Sequence, residues 1–370
     1  MSYANFTDSS PYTGIFVRQQ LGQTPSSISQ GSCSCPDIIP CTSMQTPSSF
    51  ATQSNYAQQP SNKVDLSNEN YVYLRGLQAN GYTGGTNFFF YYVESDLCMW
   101  PKNWTLAKKV TVGTAQPIGA YQNWAYARNP NASSTGQILV VDQPLLWTPD
   151  PLHGSEYDHY CTICWADNST EANPKPPNFS RLGQMTSLDD LMGFLATHPN
   201  MGWLNTNDVV TPPPGQTFQT QISTQGSAET VNVTVNFYNI TSGTFTINLI
   251  GDVSYSSGPV DVSRYQGGYQ LPQQSFPANA VATLQVIGTP GNQSQYQRID
   301  ASIQKVISPS FMLAMEPMFA NSSISLPVKK MKLMQADGTL GDVQDVFTLG
   351  SQTWNLIYNA PAPSAPRETL

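Results

Sequence analysis

The chain is 370 residues long, and its 16 basic and 24 acidic residues give a formal net charge of −8. Charged residues make up 11% of it, well below the roughly 25% of an average soluble protein. With Lys329, Lys330 and Lys332 as its only basic cluster, the chain is no phosphate-tracking nucleic-acid binder, and no run approaches the ~18 apolar residues of a membrane helix.

Ser, Thr, Gln, Asn, Gly and Pro take the place of charge, and with 18 Tyr and 15 Phe this is the composition of a turn-rich all-β protein. The start, MSYANFTDSS, has neither a basic n-region nor an apolar h-region. The sequence therefore predicts no secretory signal. Cytoplasmic synthesis fits it, followed by release along a route that reads no such signal or by incorporation in a particle.

Residues 1–63 read as an extended N-terminal arm. Gly14 to Arg18 predicts one short strand, and Gln23 to Pro60 is rich in Ser, Thr, Gln and Pro. Composition alone makes this a flexible segment. Phe16, Ile38, Ile39 and Phe50, with Cys33, Cys35 and Cys41, make it instead a candidate assembly arm, ordered on its own sandwich or on a neighbouring subunit. Removing residues 1–60 is expected to leave the rest folded and to weaken assembly.

Residues 64–210 read as an immunoglobulin-like β-sandwich. Asn70 to Trp104 predicts two strands joined as a hairpin through Asn80-Gly81 and Gly84-Gly85. The second, Phe88 to Val93, is a continuous aromatic run, as expected of a strand covered on both faces. Further strands are predicted at Ala107–Gly113, Gly136–Val141 and Asp158–Ala166, with turns every 8–12 residues or so. Trp100, Trp104, Trp147 and Cys161 are the candidate structural core.

Tyr71–Gly76, the Phe88–Tyr92 strand, Trp100-Pro101…Trp104, Trp147-x-Pro149 and His159-Tyr160-Cys161 together resemble a bacterial Ig-like module of the CARDB type, over about residues 65–170. The resemblance implies a sandwich fold and no reaction, since such modules serve as spacers and binding platforms. Cys164 and the long insert after Asp167 depart from that pattern.

One helix is predicted over about 188–197. Ser187 caps it, Asp190 completes a capping box, and Leu188, Leu191, Met192 and Leu195 share one face. It reads as a cover for one end of the sandwich or as a partner-docking helix. Residues 211–215, Thr-Pro-Pro-Pro-Gly, read as a semi-rigid linker. Residues 216–358 alternate as a second antiparallel sandwich, with strands at Val231–Phe237, Thr244–Ile250, Ala280–Ile287, Gln297–Val306, Ile324–Met334 and Val346–Ile357. Residues 359–370 read as a tail.

Candidates for chemistry are few. Cys161-x-x-Cys164 resembles half a zinc site, but on a strand side chains three apart face opposite sides. Six cysteines allow fifteen full pairings, and free thiols are favoured over bridges. Asp150, Glu156 and Asp158 cluster along the chain without a second wall to face them. No catalytic residue, cofactor or metal is expected. The sequence points to a non-enzymatic structural or interaction protein. It reads as a subunit of a particle, tail, injection system or surface array, partnered by itself or by other protein subunits. The alternative is a soluble toxin or toxin-binding component that recognises a cell surface or glycan.

Overall fold

The computed structural model describes residues 12–25, 33–60, 64–65, 68–94, 96–98, 100–106, 110–112, 124–128, 136–149, 160–169, 171–172, 174–177, 185–206, 217–265, 268–291, 297–313, 329–335 and 339–356. The 211–215 linker, the 359–370 tail, Asp150, His153, Glu156, Asp158 and His159 lie outside the described residues. The fold is all-β and antiparallel, built as two sandwiches with one substantial helix between them.

The first sandwich pairs a six-stranded sheet with a five-stranded one. In the six-stranded sheet the Asn70–Ala79 strand is central. Gly14–Phe16 and Ile38–Cys41 flank it on one edge, and Ile138–Val140 and Leu145–Trp147 on the other. In the other sheet Tyr160–Asp167 lies between Thr86–Glu94 and Met201–Asn205.

The hairpin expected between Asn70–Ala79 and Thr86–Glu94 does not form. These strands belong to different sheets and do not pair with each other. Asn80 and Gly81 do take left-handed φ values of 44° and 82°, but they turn the chain across the core as an arch. The aromatic content of both strands explains this: the core is filled by placing them face to face rather than edge to edge.

The run Phe88–Val93 is covered on both sides, as its continuous apolar pattern requires. Phe88 and Phe90 join the core between the two sheets. Phe89, Tyr91 and Val93 join a second core on the far side, which continues through the helix into the second sandwich.

The helix, Leu188–Thr197, has the capping box foreseen, with Ser187 and Asp190 satisfying each other's backbone N–H groups. It is not an end cover. Leu188, Leu191, Met192, Phe194 and Leu195 are buried, and so are Ala196 and Thr197. The helix is wedged between the sandwiches, with Trp104 and Trp165 against Phe194 on one side and Leu188 held by Glu229 on the other.

The second sandwich consists of a four-stranded sheet and a six-stranded sheet. The first orders Thr217–Ser223, Val281–Pro290, Gly243–Gly251 and Tyr255–Asp261. The second is built on Glu229–Tyr238, Gln297–Val306 and the long Leu340–Leu356 strand, with Lys329–Met334 at its edge. Phe218, Ile247, Leu284, Val233, Ile299 and Phe347 fill the space between them. Among the described residues no helix is long and apolar enough to cross a membrane.

Candidate functional site

The arm residues singled out in the sequence are the least ordinary part of the chain. Phe16, Ile38, Ile39, Phe50, Cys33 and Cys35 are all buried, and Cys41 is half-buried. The arm laces one open edge of the first sandwich. Cys33–Cys35 runs beside Met201–Asn205 in one sheet, with Ser34 bridged to Leu204. Three residues later Ile38–Cys41 joins the central strand of the other sheet, Ile38 opposite Leu74. The described part of the arm thus packs on its own sandwich.

A buried ionic cluster fastens this lacing. Asp37 is wholly buried and accepts from the guanidinium of Arg18 at 2.5 Å and from that of Arg75 at 3.0 Å. Arg75 also donates to the carbonyls of Phe50 and Pro36 and to Asn55 Oδ1, so its fork is filled. Arg18 donates to the Tyr56 carbonyl and lies over the Tyr56 ring, 3.3 Å from its centroid. An unpaired buried guanidinium is expensive. Here each is neutralised only when the arm is in place, so the central strand needs the arm as much as the arm needs the strand.

Glycine makes room for the arm. A Cβ at Gly202 would stand 2.6 Å from Cys35 Sγ and 2.9 Å from the Arg18 carbonyl. Cys164 lies opposite Gly202 in the neighbouring strand. On the other face of the sheet Cys161 donates to Asn205 Oδ1 at 2.8 Å, and the Cys33 thiol is its neighbour. All six cysteines are free. Burial pushes the Cys35, Cys98 and Cys164 thiols up, which keeps them protonated and inert. Cys161 is raised by its hydrogen bond with Cys33 and then by burial. Cys161 and Cys164 sit in different cores, as strand geometry demands. Among the described residues no group of three His, Cys, Asp or Glu side chains is placed to hold a metal ion.

The second ordered polar cluster joins the two sandwiches. Asp96 accepts from Ser223 Oγ at 2.5 Å and from the Cys98 N–H at 2.7 Å. Trp100 Nε1 donates to the Ser223 carbonyl at 3.0 Å, and Leu97 N–H to Gln221 at 2.9 Å. Burial raises the Asp96 carboxyl to about 6, against the opposing hydrogen bonds from Ser223 and Cys98. Lys305 of the second sandwich pairs with Asp189 of the helix and with Glu229, each at 2.8 Å. Ser351 receives the Cys33 N–H on its hydroxyl and the Asn205 amide on its carbonyl, both at 3.1 Å. Gly350 passes so close to the Leu97 carbonyl that any side chain there would collide with it.

Trp100, Trp104, Trp147 and Cys161 are all interior. His198 is half-buried, its imidazole beside the Phe194 carbonyl at 2.7 Å, and desolvation lowers its pKa. Nothing about Asp37, in a Pro-rich segment, announces a buried counter-ion for Arg75. Asp96 and Ser223 were missed for the same reason, being 127 residues apart.

No family model matches the sequence, and no curated protein matches it. Among solved structures, a mutant of the CfaE adhesin of enterotoxigenic E. coli is 8% identical, with 95% of this chain and 96% of that one covered, at a TM-score of 0.20. The C-terminal domain of the Streptococcus agalactiae polypeptide BspA is also 8% identical, covering 66% of this chain and 90% of its own, at a TM-score of 0.17. Superpositions this poor carry no weight for what the chain does.

Proposed function

We propose that this chain is a non-enzymatic structural or interaction protein, a building unit of a larger assembly that associates with itself or with other protein subunits. The observation that supports the reading is the continuous core. It runs from the outer face of the first sandwich, through the buried helix, into the interior of the second. The buried carboxyl groups Asp37, Asp96 and Glu229, and the half-buried Lys305, are each engaged in tying one segment to another. A body joined in this way transmits load as one piece, which suits a spacer or structural subunit. Trp100, Trp104, Trp147 and Trp203 are interior and offer no exposed ring for a sugar to stack on.

The test is sedimentation velocity across a wide concentration range. Concentration-dependent species larger than the monomer are expected. A single monomeric boundary at every concentration overturns the assembly reading and favours a soluble binder.

A further inference from the structure

The four-stranded sheet of the second sandwich has an outer face with an unusual chemistry. Its strands, Thr217–Ser223, Gly243–Gly251, Tyr255–Asp261 and Val281–Pro290, contain one charged residue, Asp261, at the end of its strand. The six-stranded sheet behind it carries Arg298, Asp300, Lys305, Lys329, Lys330, Asp342 and Asp345 in its strands. Charge is segregated to one side of this sandwich.

Register arranges the uncharged side chains in rows. Gln219 is opposite Gln285, Gln285 opposite Asn248, and Asn248 opposite Ser256. Residues directly opposite one another in a sheet share a face, so three amides and a hydroxyl form a line across all four strands. Their neighbours Phe218, Leu284, Ile247 and Leu249 point into the core, which puts the row on the outside. Ser256 is exposed and the three amides are half-buried. The structure gives Gln219, Gln285 and Asn248 no side-chain hydrogen bond to another described residue. Thr246 and Thr283 stand in the adjoining rows.

We infer that this face binds an uncharged glycan chain laid across the strands. The inference goes beyond the assembly reading and does not depend on it. Charge matching carries it: a nucleic acid or an acidic polysaccharide finds no counter-charge here. A protein interface of ordinary kind would be anchored by aromatic or Arg side chains; the row has neither, and the exposed apolar side chains of this face, Ile250 and Val281, stand at the ends of their strands. Sugar hydroxyls donate and accept, as do carboxamides and the seryl hydroxyl. The strand spacing of about 4.8 Å is close to the length of one sugar ring in an extended chain, so successive rings meet successive side chains.

Native affinity electrophoresis tests this with gels containing hydroxyethylcellulose, a mixed-linkage β-glucan or mannan, and alginate as the anionic comparison. At least one neutral polymer is expected to retard the chain, with little change on adding salt, while alginate does not. Gln285→Ala combined with Asn248→Ala should cut the retardation at least tenfold, Gln285→Glu should weaken it, and Arg298→Ala on the opposite sheet should leave it unchanged. Thermal midpoints and near-ultraviolet spectra confirm that the variants are folded. If all three neutral polymers leave mobility unchanged, or if folded Gln285 and Asn248 variants are retarded like the parent, the inference fails. It also fails if salt abolishes the retardation, or if the face variants alter self-association and not glycan retardation.

Discussion

Arg75 and Asp37 form a 3.0 Å ion pair with no exposed side-chain surface on either partner, although 38 positions separate them. Removing the carboxylate charge leaves two guanidinium groups, Arg18 and Arg75, buried without an anion. Asp37→Asn should therefore destabilise the first sandwich by about 3–5 kcal/mol. Arg75→Lys should also lose stability, because an ammonium cannot reproduce the filled fork. Urea denaturation followed by tryptophan fluorescence measures both, and an unchanged midpoint for Asp37→Asn would refute the role given to this pair.

Removal of residues 1–60 tests the lacing more severely. The sequence taken alone suggests that the truncated chain keeps both sandwiches. The structure predicts the opposite for the first: it loses two edge strands, Gly14–Phe16 and Ile38–Cys41, and the anion for Arg75. The truncated chain should lose near-ultraviolet ellipticity, and Cys164 should become reactive to thiol reagents. Native-like spectra with an unreactive Cys164 would contradict this.

Gly350→Ala should act at the junction between the sandwiches, where the new methyl meets the Leu97 carbonyl. Overpacking of this kind costs on the order of 1–3 kcal/mol. Because it acts between the sandwiches, it should also split a single calorimetric transition into two. One cooperative transition at the parental midpoint would show that the junction tolerates the methyl.

The pH dependence follows from Asp96. Its carboxyl is raised from the model-peptide value of 3.8 to about 6 by burial. Between those values the folded chain holds more protons than the unfolded one, so stability falls as pH rises from about 4 to about 6 and is level above. The size is on the order of 2–3 kcal/mol for a fully buried group. Asp96→Asn should remove this component, so that the stability difference between variant and parent changes across that window and is constant outside it. A difference independent of pH would mean that Asp96 does not titrate there.

Much of the fold is legible in the sequence where alternation or capping is strong. Gln297–Val306 and the Leu188–Thr197 helix have the bounds that the sequence predicts. Thr217–Ser223 escaped notice because TFQTQIS alternates apolar with amide and hydroxyl, a weak contrast that resembles loop composition. The arch at Asn80-Gly81 read as a hairpin because the same left-handed turn residues serve both, and only the competition between sheets decides. The ionic cluster was illegible in principle. Asp37, Arg18 and Arg75 gain meaning only from a pairing register that no local pattern encodes.

The lacing of the arm also orders events in time. Cys33 leaves the ribosome long before Asn205, against which it finally lies. At usual elongation rates of about 5–20 residues per second, the nascent arm waits on the order of ten seconds or more for its edge. During that interval the Cys33 and Cys35 thiols are uncovered, although Ile38 and Ile39 find Leu74 and Tyr73 much sooner. The late step in building the first sandwich is therefore the closing of Cys33–Cys35 on Met201–Asn205, a contact of high sequence separation that is intrinsically slow. A chain built this way gains from a holding chaperone and a reducing surrounding during synthesis, and needs neither once closed.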